Sequence, residues 1–336
     1  MVYSLDNRVV IGVSARALFD LQKENRLYEE QGLEAYAKYQ MAHEEEILPP
    51  GPAFALIQAL LQLNRLEGWN NKVEVIFYSS NNPDISLRIF HSIEHYNLEI
   101  TRAMFLSGAS PVPYLTAFHT DLFLSASEKD VQAAIDAGIA AGIVCENSVR
   151  CERVSQKPVK KAGNTGEKRD GHTMEAMIRI AFDGDAVVFS DEAEQIFRER
   201  GLEAFSDSEK KNAQLPLHAG PFARFLKVLS DLQKELPEAG NCIRTALVTA
   251  RSAPAHERVI RTLRHWDIRI DEAFFLGGIS KKEVLSSFGA QIFFDDQPSN
   301  TQMAAEVVPA ARVPLKTQWK DGTNIYRMDR KINEVS

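Results

Sequence analysis

Two aspartates one residue apart follow a short apolar run in the middle of the chain. The segment is 180–190 (IAFDGDAVVFS), in which Asp183 and Asp185 interrupt the apolar residues. A strand that is covered on both faces is continuously apolar, and a carboxylate buried there without a partner costs several kcal/mol. Such a pair is tolerated where a cation or a reaction needs it. The alternative, which the same residues also fit, is an exposed Asp-Gly turn.

Three later junctions have the same form, an apolar run followed at once by a reactive side chain. They carry Thr249 in ALVTARS, Lys281 in FFLGGISK, and Asp295 with Asp296 in QIFFDDQ. In an open α/β sheet, ligands bind outside the carboxyl ends of the strands. The four junctions are therefore expected to meet at one site, although they span more than a hundred residues of sequence.

In this order the junctions resemble the four motifs of the haloacid dehalogenase superfamily of phosphotransferases. The segments DGDAVVFSDE, LVTARS, FLGGISK and IFFDDQ resemble the cytosolic 5′-nucleotidase type I family in particular, and the resemblance extends back to VSARALF near the start of the chain. It implies Mg²⁺-dependent hydrolysis of nucleoside 5′-monophosphates through an aspartyl-phosphate intermediate. AMP, related purine nucleotides and deoxynucleotides are the implied substrates.

The resemblance also implies a role for each reactive residue. Asp183 is the nucleophile, Asp185 the general acid and base, Thr249 a donor to a phosphoryl oxygen, and Lys281 a fixed positive charge, with Lys282 as the alternative. Mg²⁺ is held by Asp183, the backbone carbonyl of Asp185 and Asp295, with Asp296 in support. An all-oxygen set of ligands suits Mg²⁺ better than zinc. The candidates for contacts with the substrate are Arg251, Ser252, Asn81 and Asn82.

Composition limits the classes of protein and of partner. The 336 residues are enough for two domains, and 44% hydrophobic with 25% charged residues is ordinary for a globular protein. A net charge of −7 disfavours nucleic acid and acidic membranes as partners. Three scattered cysteines (Cys145, Cys151 and Cys242), together with no signal peptide and no transmembrane-length apolar run, favour a cytoplasmic protein.

The order of elements predicts the fold class. The segment 9–19 is predicted to be a strand that breaks into a loop, and further strands are predicted at 73–78, 103–106 and 121–124. They alternate with predicted helices, one of them at 54–66, which is typical of a parallel sheet covered on both faces. We predict an α/β fold of two duplicated doubly wound units, haloacid dehalogenase-like and of Rossmann type, of which the first is degenerate. The predicted boundaries are a first unit at 1–152, a polar linker or mobile loop at 153–174, and a catalytic unit at 175–336.

The duplication is inferred from similarity at a constant offset. Gly32 in LYEEQGLEAY and Gly201 in IFRERGLEAF are 169 positions apart, and Gly51 and Gly220 have the same offset. From FLSG at 105–108 onward the offset is 170. Similarity that keeps one register for so long is the sequence signature of a repeat.

The first half lacks the residues that would do chemistry. At these offsets Ser14 and Arg16 face Asp183 and Asp185. The remaining replacements are Ser79 for Thr249, Pro111 for Lys281, Ser125 for Asp295 and Ala126 for Asp296. We therefore expect the first half to cover the active site, with Asn81 and Asn82 in the nucleoside pocket. The hydroxyls and the arginine predict an effector pocket (Ser14, Arg16 and Ser79) for the phosphates of a regulatory nucleotide; the alternative is that Arg16 pairs with an acid between the halves.

Other readings of the sequence are weaker. His91 and His95 have the i, i+4 spacing of metal ligands but no third ligand, and Ser14 with His119 lacks a Gly-x-Ser-x-Gly elbow. No P-loop motif is present. The alternatives that stay open are a phosphatase for another small phosphate ester and a nucleotide-binding regulatory protein with little turnover. Homo-oligomer formation is also left open.

Overall fold

A computed structural model describes residues 4–5, 7–66, 71–149, 178–235 and 242–317. The predicted linker at 153–174 lies outside these residues, as does Cys151, whereas Cys145 and Cys242 are free thiols. No helix within the described ranges combines the length and apolar character that crossing a membrane requires.

The first half alternates strands and helices along residues 9–144. Its strands are β1 (Val9–Ser14), β2 (Val73–Ser79), β3 (Arg102–Phe105), β4 (Leu122–Ser125) and β5 (Ala140–Val144). Its helices are α1 (Ala15–Leu18), α2 (Gln22–Ala42), α3 (Phe54–Leu63), α4 (Leu87–His95), α5 (Val112–Ala117) and α6 (Glu128–Asp136). A short 3₁₀ turn at Pro83–Ile85 precedes α4.

The second half alternates in the same way from residue 178 onward. Its strands are β6 (Ile178–Phe182), β7 (Ile243–Thr249), β8 (Glu272–Phe275), β9 (Ile292–Asp295) and β10 (Ala310–Arg312). Its described helices are α7 (Glu192–Lys211), α8 (Ala223–Glu235), α9 (His256–His265), α10 (Lys282–Phe288) and α11 (Pro298–Ala305). An irregular turn at Gly184–Val188 links β6 to the segment before α7.

The strands form one ten-stranded sheet in the order β3-β2-β1-β4-β5-β10-β9-β6-β7-β8. Within each half all neighbouring strands are parallel, and counted within each half the order is the same, 3-2-1-4-5. The central strands are buried, as their continuous apolar sequences predict, whereas the edge strands β3 and β8 are mostly half-buried. The predicted α/β fold with a mostly parallel sheet is thus confirmed.

The two halves join through the antiparallel pair β5 and β10, in which Ala311 faces Val144 and Arg312 faces Ile143. Because the strands within each half are parallel, this one antiparallel pair makes the two sets of strands run in opposite directions. The carboxyl ends of β1 and β2 therefore lie at the opposite end of the sheet from those of β6 and β7. Nothing in the local sequence pattern predicts this reversal.

The constant offset between the halves does not hold in the loop after the first strand of each half. Phe19 N donates to Ala15 O at 2.8 Å, whereas Phe189 N donates to Gly184 O at 2.9 Å. The hydrogen-bonded turn is therefore one residue longer after β6 than after β1. The extra residue lies between Gly184 and Val187, because Ala53 N donates to Ala17 O and Phe222 N donates to Val187 O, both at 2.9 Å. Asp185 and Ala186 together therefore stand opposite Arg16.

Candidate active site

Aromatic packing at the ends of β6 and β9 fixes where two of the predicted acids emerge. Phe182 and Phe294 stack with ring centroids 5.7 Å apart, and Phe222 lies 4.6 Å from Phe294. Asp183 and Asp295 are the next residues along the two strands, and Asp183 N donates to Phe294 O at 2.8 Å. Both carboxylates are thus placed together by two adjacent parallel strands.

Lys281 lies between these two carboxylates. Its Nζ donates to Asp183 Oδ1 at 2.7 Å and to Asp295 Oδ2 at 2.6 Å, and all three side chains are buried. Asp295 accepts two further donors, Gln297 N at 2.9 Å and Asn300 Nδ2 at 3.1 Å. The alternative lysine, Lys282, instead pairs with Glu306 at the surface. A buried ion cluster this well hydrogen-bonded is held in one geometry.

A third carboxylate completes what we call the acidic centre, which consists of Asp183, Lys281, Asp295 and Asp296. Oxygen atoms of its three aspartates all lie within 4.8 Å of one another. Oδ1 of Asp296 is buried and has no hydrogen-bond partner among the described residues. The centre therefore has more negative than positive charge, and an orphaned oxygen in addition. These features fit a hard divalent cation such as Mg²⁺, which prefers oxygen ligands.

The acidic centre shifts the pKa of its members. Burial raises the pKa of Asp183 to about 7, against the lowering effect of Lys281, while Asp295 raises it further. Burial also raises the pKa of Asp296 to about 8, aided by the charges of Asp183 and Glu194. Burial alone would lower the pKa of Lys281, but its two carboxylate partners raise it above the ordinary value. Lys281 is therefore a permanent cation.

The carboxylate of Asp185 does not belong to the acidic centre, because Arg251 binds both of its oxygens. Arg251 Nε donates to Oδ2 at 2.8 Å and Nη2 donates to Oδ1 at 2.7 Å. Asp185 sits in the irregular turn, next to Ala186, whose φ of 62° lies in the left-handed region. Arg251 also binds the buried Glu209 of α7, which in turn accepts from Arg258 at 2.8 Å. Sequence reasoning missed Glu209 and Arg258, because nothing in the local pattern of α7 or α9 distinguishes them.

Thr249 ends β7 beside the turn that carries Asp185. Its side chain is buried, and its hydroxyl accepts from Arg251 N at 3.2 Å. A Cβ on Gly184 would lie 3.1 Å from Thr249 Oγ1, so a glycine allows the close approach of the two segments. Ser252 is exposed and lies opposite Gly277, the glycine turn that follows β8. The structure thus brings the predicted second-half residues to one end of the sheet.

Asn81 and Asn82 are not at that end. Both follow β2, whose carboxyl end lies at the far end of the sheet from Asp183 because of the antiparallel junction. Asn81 Nδ2 instead donates to the hydroxyl of Tyr36, at 2.9 Å. The expectation that Asn81 and Asn82 line the nucleoside pocket of the same chain therefore does not agree with the structure, and cover of the active site by the first half stays a prediction.

The residues predicted to form an effector pocket lie at the carboxyl ends of the first-half strands. Ser14 ends β1, Ser79 ends β2, and Arg16 lies in α1. Arg16 donates to Asn25 Oδ1 at 3.0 Å and lies 3.7 Å from Glu146. The cavity beside Arg16 measures about 10 Å³, which is room for roughly one water. Arg16 therefore lies beside an acid of its own half, and the effector pocket stays a prediction.

The two histidines that had metal-ligand spacing do not belong to the acidic centre. His91 Nδ1 contacts the backbone oxygen of Glu44 at 2.8 Å. Among the described residues, the acidic centre is the one place where three or more metal-binding side chains converge.

The site consists of a buried lysine between aspartates at the carboxyl ends of the strands of an open α/β sheet, which is where such sheets bind ligands. Sequence comparison specifies the class further. The profile of the 5'-nucleotidase family matches residues 1–320, and the chain belongs to this family. It is 36% identical over 300 residues to "Cytosolic 5'-nucleotidase 1B" of Homo sapiens. That match covers 86% of this chain and 46% of the human protein, so the chain spans about half the length of this relative.

Among solved structures, the chain is similar to one in "Structure of Pnkp1/Rnl/Hen1 complex". The identity is 12%, the coverage is 93% of this chain and 97% of that chain, and the TM-score is 0.30. A likeness at this level supports no conclusion about fold or function.

Proposed function

We propose that the chain is a 5′-nucleotidase that hydrolyses nucleoside 5′-monophosphates, with Mg²⁺ bound at the acidic centre. The observation that carries the proposal is the contact of Lys281 Nζ with both Asp183 and Asp295, at 2.7 and 2.6 Å, in a chain of the 5′-nucleotidase family. AMP-like purine nucleotides and deoxynucleotides are the proposed substrates. The human relative's name adds support for the activity and for a cytosolic location.

In the proposed reaction, Asp183 is the nucleophile. Its Oδ attacks phosphorus, the bond from phosphorus to the 5′ oxygen breaks, and that oxygen takes a proton from Asp185. Water then attacks the aspartyl-phosphate and gives a proton back to Asp185, while the bond from phosphorus to Asp183 breaks. Nucleoside and phosphate leave, and both aspartates return to their starting states. Thr249, at the end of β7, donates a hydrogen bond to a phosphoryl oxygen.

Lys281 and the metal make the attack by an anion on an anion feasible. The Nζ of Lys281 fixes Asp183 and places a permanent positive charge beside the phosphoryl position. Asp183, Asp295 and Asp296 are the side chains that would hold the cation, and the backbone oxygen of Asp185 is the remaining proposed ligand. When bound, Mg²⁺ supplies neutralisation of the charge on the phosphoryl oxygens.

The same proposal covers the origin of the two halves. We propose that both are haloacid dehalogenase-like units that arose by duplication, with residues 1–152 as the degenerate copy and 175–336 as the catalytic one. The support is the shared strand order within each half and the equivalent glycines, Gly51 and Gly220, each of which packs against the backbone after the first strand. A regulatory nucleotide at Ser14, Arg16 and Ser79, and a homo-oligomer, belong to the proposal as well.

A phosphate-release screen over nucleoside monophosphates and sugar phosphates, with Mg²⁺ and with chelator, tests the proposed function. Asp183→Asn should remove essentially all activity, because a group that acts in concert with others loses orders of magnitude in rate when it is removed. Circular dichroism should show the fold retained. Activity of Asp183→Asn within about tenfold of wild type would refute the assignment of the nucleophile. If the wild-type protein releases phosphate from sugar phosphates alone, the proposed substrate class is wrong. If it releases phosphate from none of the compounds, the proposed activity is wrong.

A further inference from the structure

The buried charges around Asp185 are not explained by the acidic centre. We call Asp185, Arg251, Glu209 and Arg258 the arginine network. The side chains of Arg251 and Glu209 are 2% and 0% exposed. Burying an ion pair this completely brings a desolvation penalty that often exceeds the Coulomb gain, so an apolar or neutral set of similar size is often as stable. The network therefore needs a reason other than stability.

The first half shows what the same place looks like without Arg251 and Glu209. Asn81 N donates to Ser79 Oγ at 3.1 Å, just as Arg251 N donates to Thr249 Oγ1 at 3.2 Å, so Asn81 occupies the position of Arg251. Its amide donates to Tyr36, at 2.9 Å. Gln40, the counterpart of Glu209, also donates to the hydroxyl of Tyr36, at 3.0 Å. Neutral hydrogen bonds thus replace the pair of Arg251 and Glu209 in the half that lacks Asp183 and Asp185, while Arg88 pairs with the buried Glu24, at 2.7 Å.

One member of the network does have a counterpart in both halves. Arg258 donates through Nε to the backbone oxygen of Leu215 at 2.9 Å, and Arg88 donates in the same way to Glu46, also at 2.9 Å. The helix arginine is thus shared by both halves. Arg251 and Glu209 occur only where the catalytic aspartates occur.

We propose that Arg251 is a positioning residue for Asp185, and that Glu209 fixes Arg251 in turn. The inference rests on the proposed function, and it reassigns Arg251, which the sequence offered as a contact for the substrate. Both guanidinium donors on the Asp185 side are used by that carboxylate, and Nη1 is used by Glu209. A carboxylate oxygen has two lone pairs, so each oxygen of Asp185 keeps one for the proton that it exchanges with the substrate.

Asp185 lies in an irregular turn, where a side-chain contact is needed to fix its orientation. Asp185 itself is extended, with φ −72° and ψ 141°, and the following Ala186 is left-handed. No repeating main-chain hydrogen bond fixes this part of the turn as a helix would. The bidentate contact with Arg251 selects one side-chain orientation, since the planar guanidinium matches a carboxylate in only one plane.

The test exchanges the network for the neutral set of the first half, with Arg251→Asn, Glu209→Gln and Phe205→Tyr in one variant. In the first half, the hydroxyl of Tyr36, the counterpart of Phe205, accepts the hydrogen bonds of both Asn81 and Gln40. Rates are measured on a nucleoside monophosphate and on p-nitrophenyl phosphate, whose leaving group departs without a proton. We expect kcat to fall about 10²- to 10⁴-fold on the nucleotide, the range for loss of general acid catalysis, and less than about tenfold on the aryl ester. KM should change little.

The same three changes are then made in an Asp185→Asn background. If Arg251 acts only through Asp185, they cost no further activity there. A raised KM with equal losses on both substrates, or losses that add to that of Asp185→Asn, would assign Arg251 to substrate binding and overturn the inference. Arg251→Lys serves if the triple variant does not fold: it keeps the charge but not the bidentate contact, and should show the same contrast between substrates. Retention of activity by Asp183→Asn would instead refute the proposed function. This variant is assayed separately, so the two failures can be distinguished.

Discussion

Asp296 and Asp295 are adjacent in the chain, yet replacing each by asparagine should change stability in opposite directions. Asp296 has a buried oxygen without a partner and faces Asp183, Glu194 and Asp295. Asp295 instead binds Lys281. In metal-free protein, Asp296→Asn removes a charge that only repels its surroundings, and should stabilise the fold. Asp295→Asn takes a partner from a buried cation, and should destabilise it.

The size of the effect follows from the geometry. Two carboxylates whose oxygens lie within 4.8 Å of each other repel by at least about 3 kcal/mol at an effective dielectric constant of about 20. Relaxation and partial protonation reduce this, so we expect Asp296→Asn to stabilise by about 1 to 3 kcal/mol. Breaking a buried pair, as in Asp295→Asn, costs about 3 to 5 kcal/mol. A change of 1 kcal/mol moves the Tm by roughly 2 to 4 °C for a domain of this size.

The assay is thermal unfolding in chelator, followed by titration with Mg²⁺. The pKa of Asp296 is raised to about 8, so the folded state binds its proton more tightly than the unfolded state does. Wild-type stability should therefore fall as pH rises from the unfolded pKa toward 8, and the advantage of Asp296→Asn should grow over the same range. With Mg²⁺ the stability advantage of Asp296→Asn over wild type should be lost, because the variant lacks one charged ligand for the metal. Both variants should need more metal for activity. If Asp296→Asn lowers the Tm in chelator as much as Asp295→Asn does, the repulsion argument is wrong.

Two further predictions separate the halves. Gly220→Ala should lower the Tm and reduce activity more than about tenfold. The added Cβ would lie 2.3 Å from Phe189 O and displace the turn that carries Asp185. A clash of this kind costs about 1 to 3 kcal/mol. Gly51→Ala is the matched control, with a Cβ 2.8 Å from the backbone of Phe19, and should lower the Tm with activity retained; equal losses of activity would contradict a chemically silent first half. Arg16→Ala, assayed with and without added ADP or ATP, should abolish activation if the effector pocket exists. A variant that keeps both basal activity and activation would restrict Arg16 to its contacts with Asn25 and Glu146.

The sequence could predict the ends of the second-half strands because their signal is local. Asp183, Thr249 and Asp295 each end a short apolar run, and the parallel pairing of β6 with β7 and β9 brings them together. Alternating strands and helices predict the fold class for the same reason. The structure also places Lys281 at the N-cap of α10, directly before the helix.

The direction of the join between halves is not a local signal. A single antiparallel pair, β5 with β10, decides whether Asn81 lies near Asp183 or at the far end of the sheet. The partners of a side chain cannot be predicted from the local sequence either. Arg251 is separated from Asp185 by 66 positions and from Glu209 by 42. The one-residue extension of the turn after β6 escaped the alignment because Gly32 and Gly201 restore the offset of 169 soon afterwards.

The comparison of the two halves bears on why the charges are there at all. The first half has Ser14, Pro111, Ser125 and Ala126 where the second has the acidic centre, yet it forms strands in the same order. Its fold therefore does not depend on a buried lysine between aspartates. A buried cluster with excess negative charge is a liability for stability, and clusters of this kind persist where chemistry uses them. The first half thus serves as an internal reference for the second. The charged residues that only the second half has, Arg251 and Glu209 included, are best explained by the proposed reaction rather than by the fold.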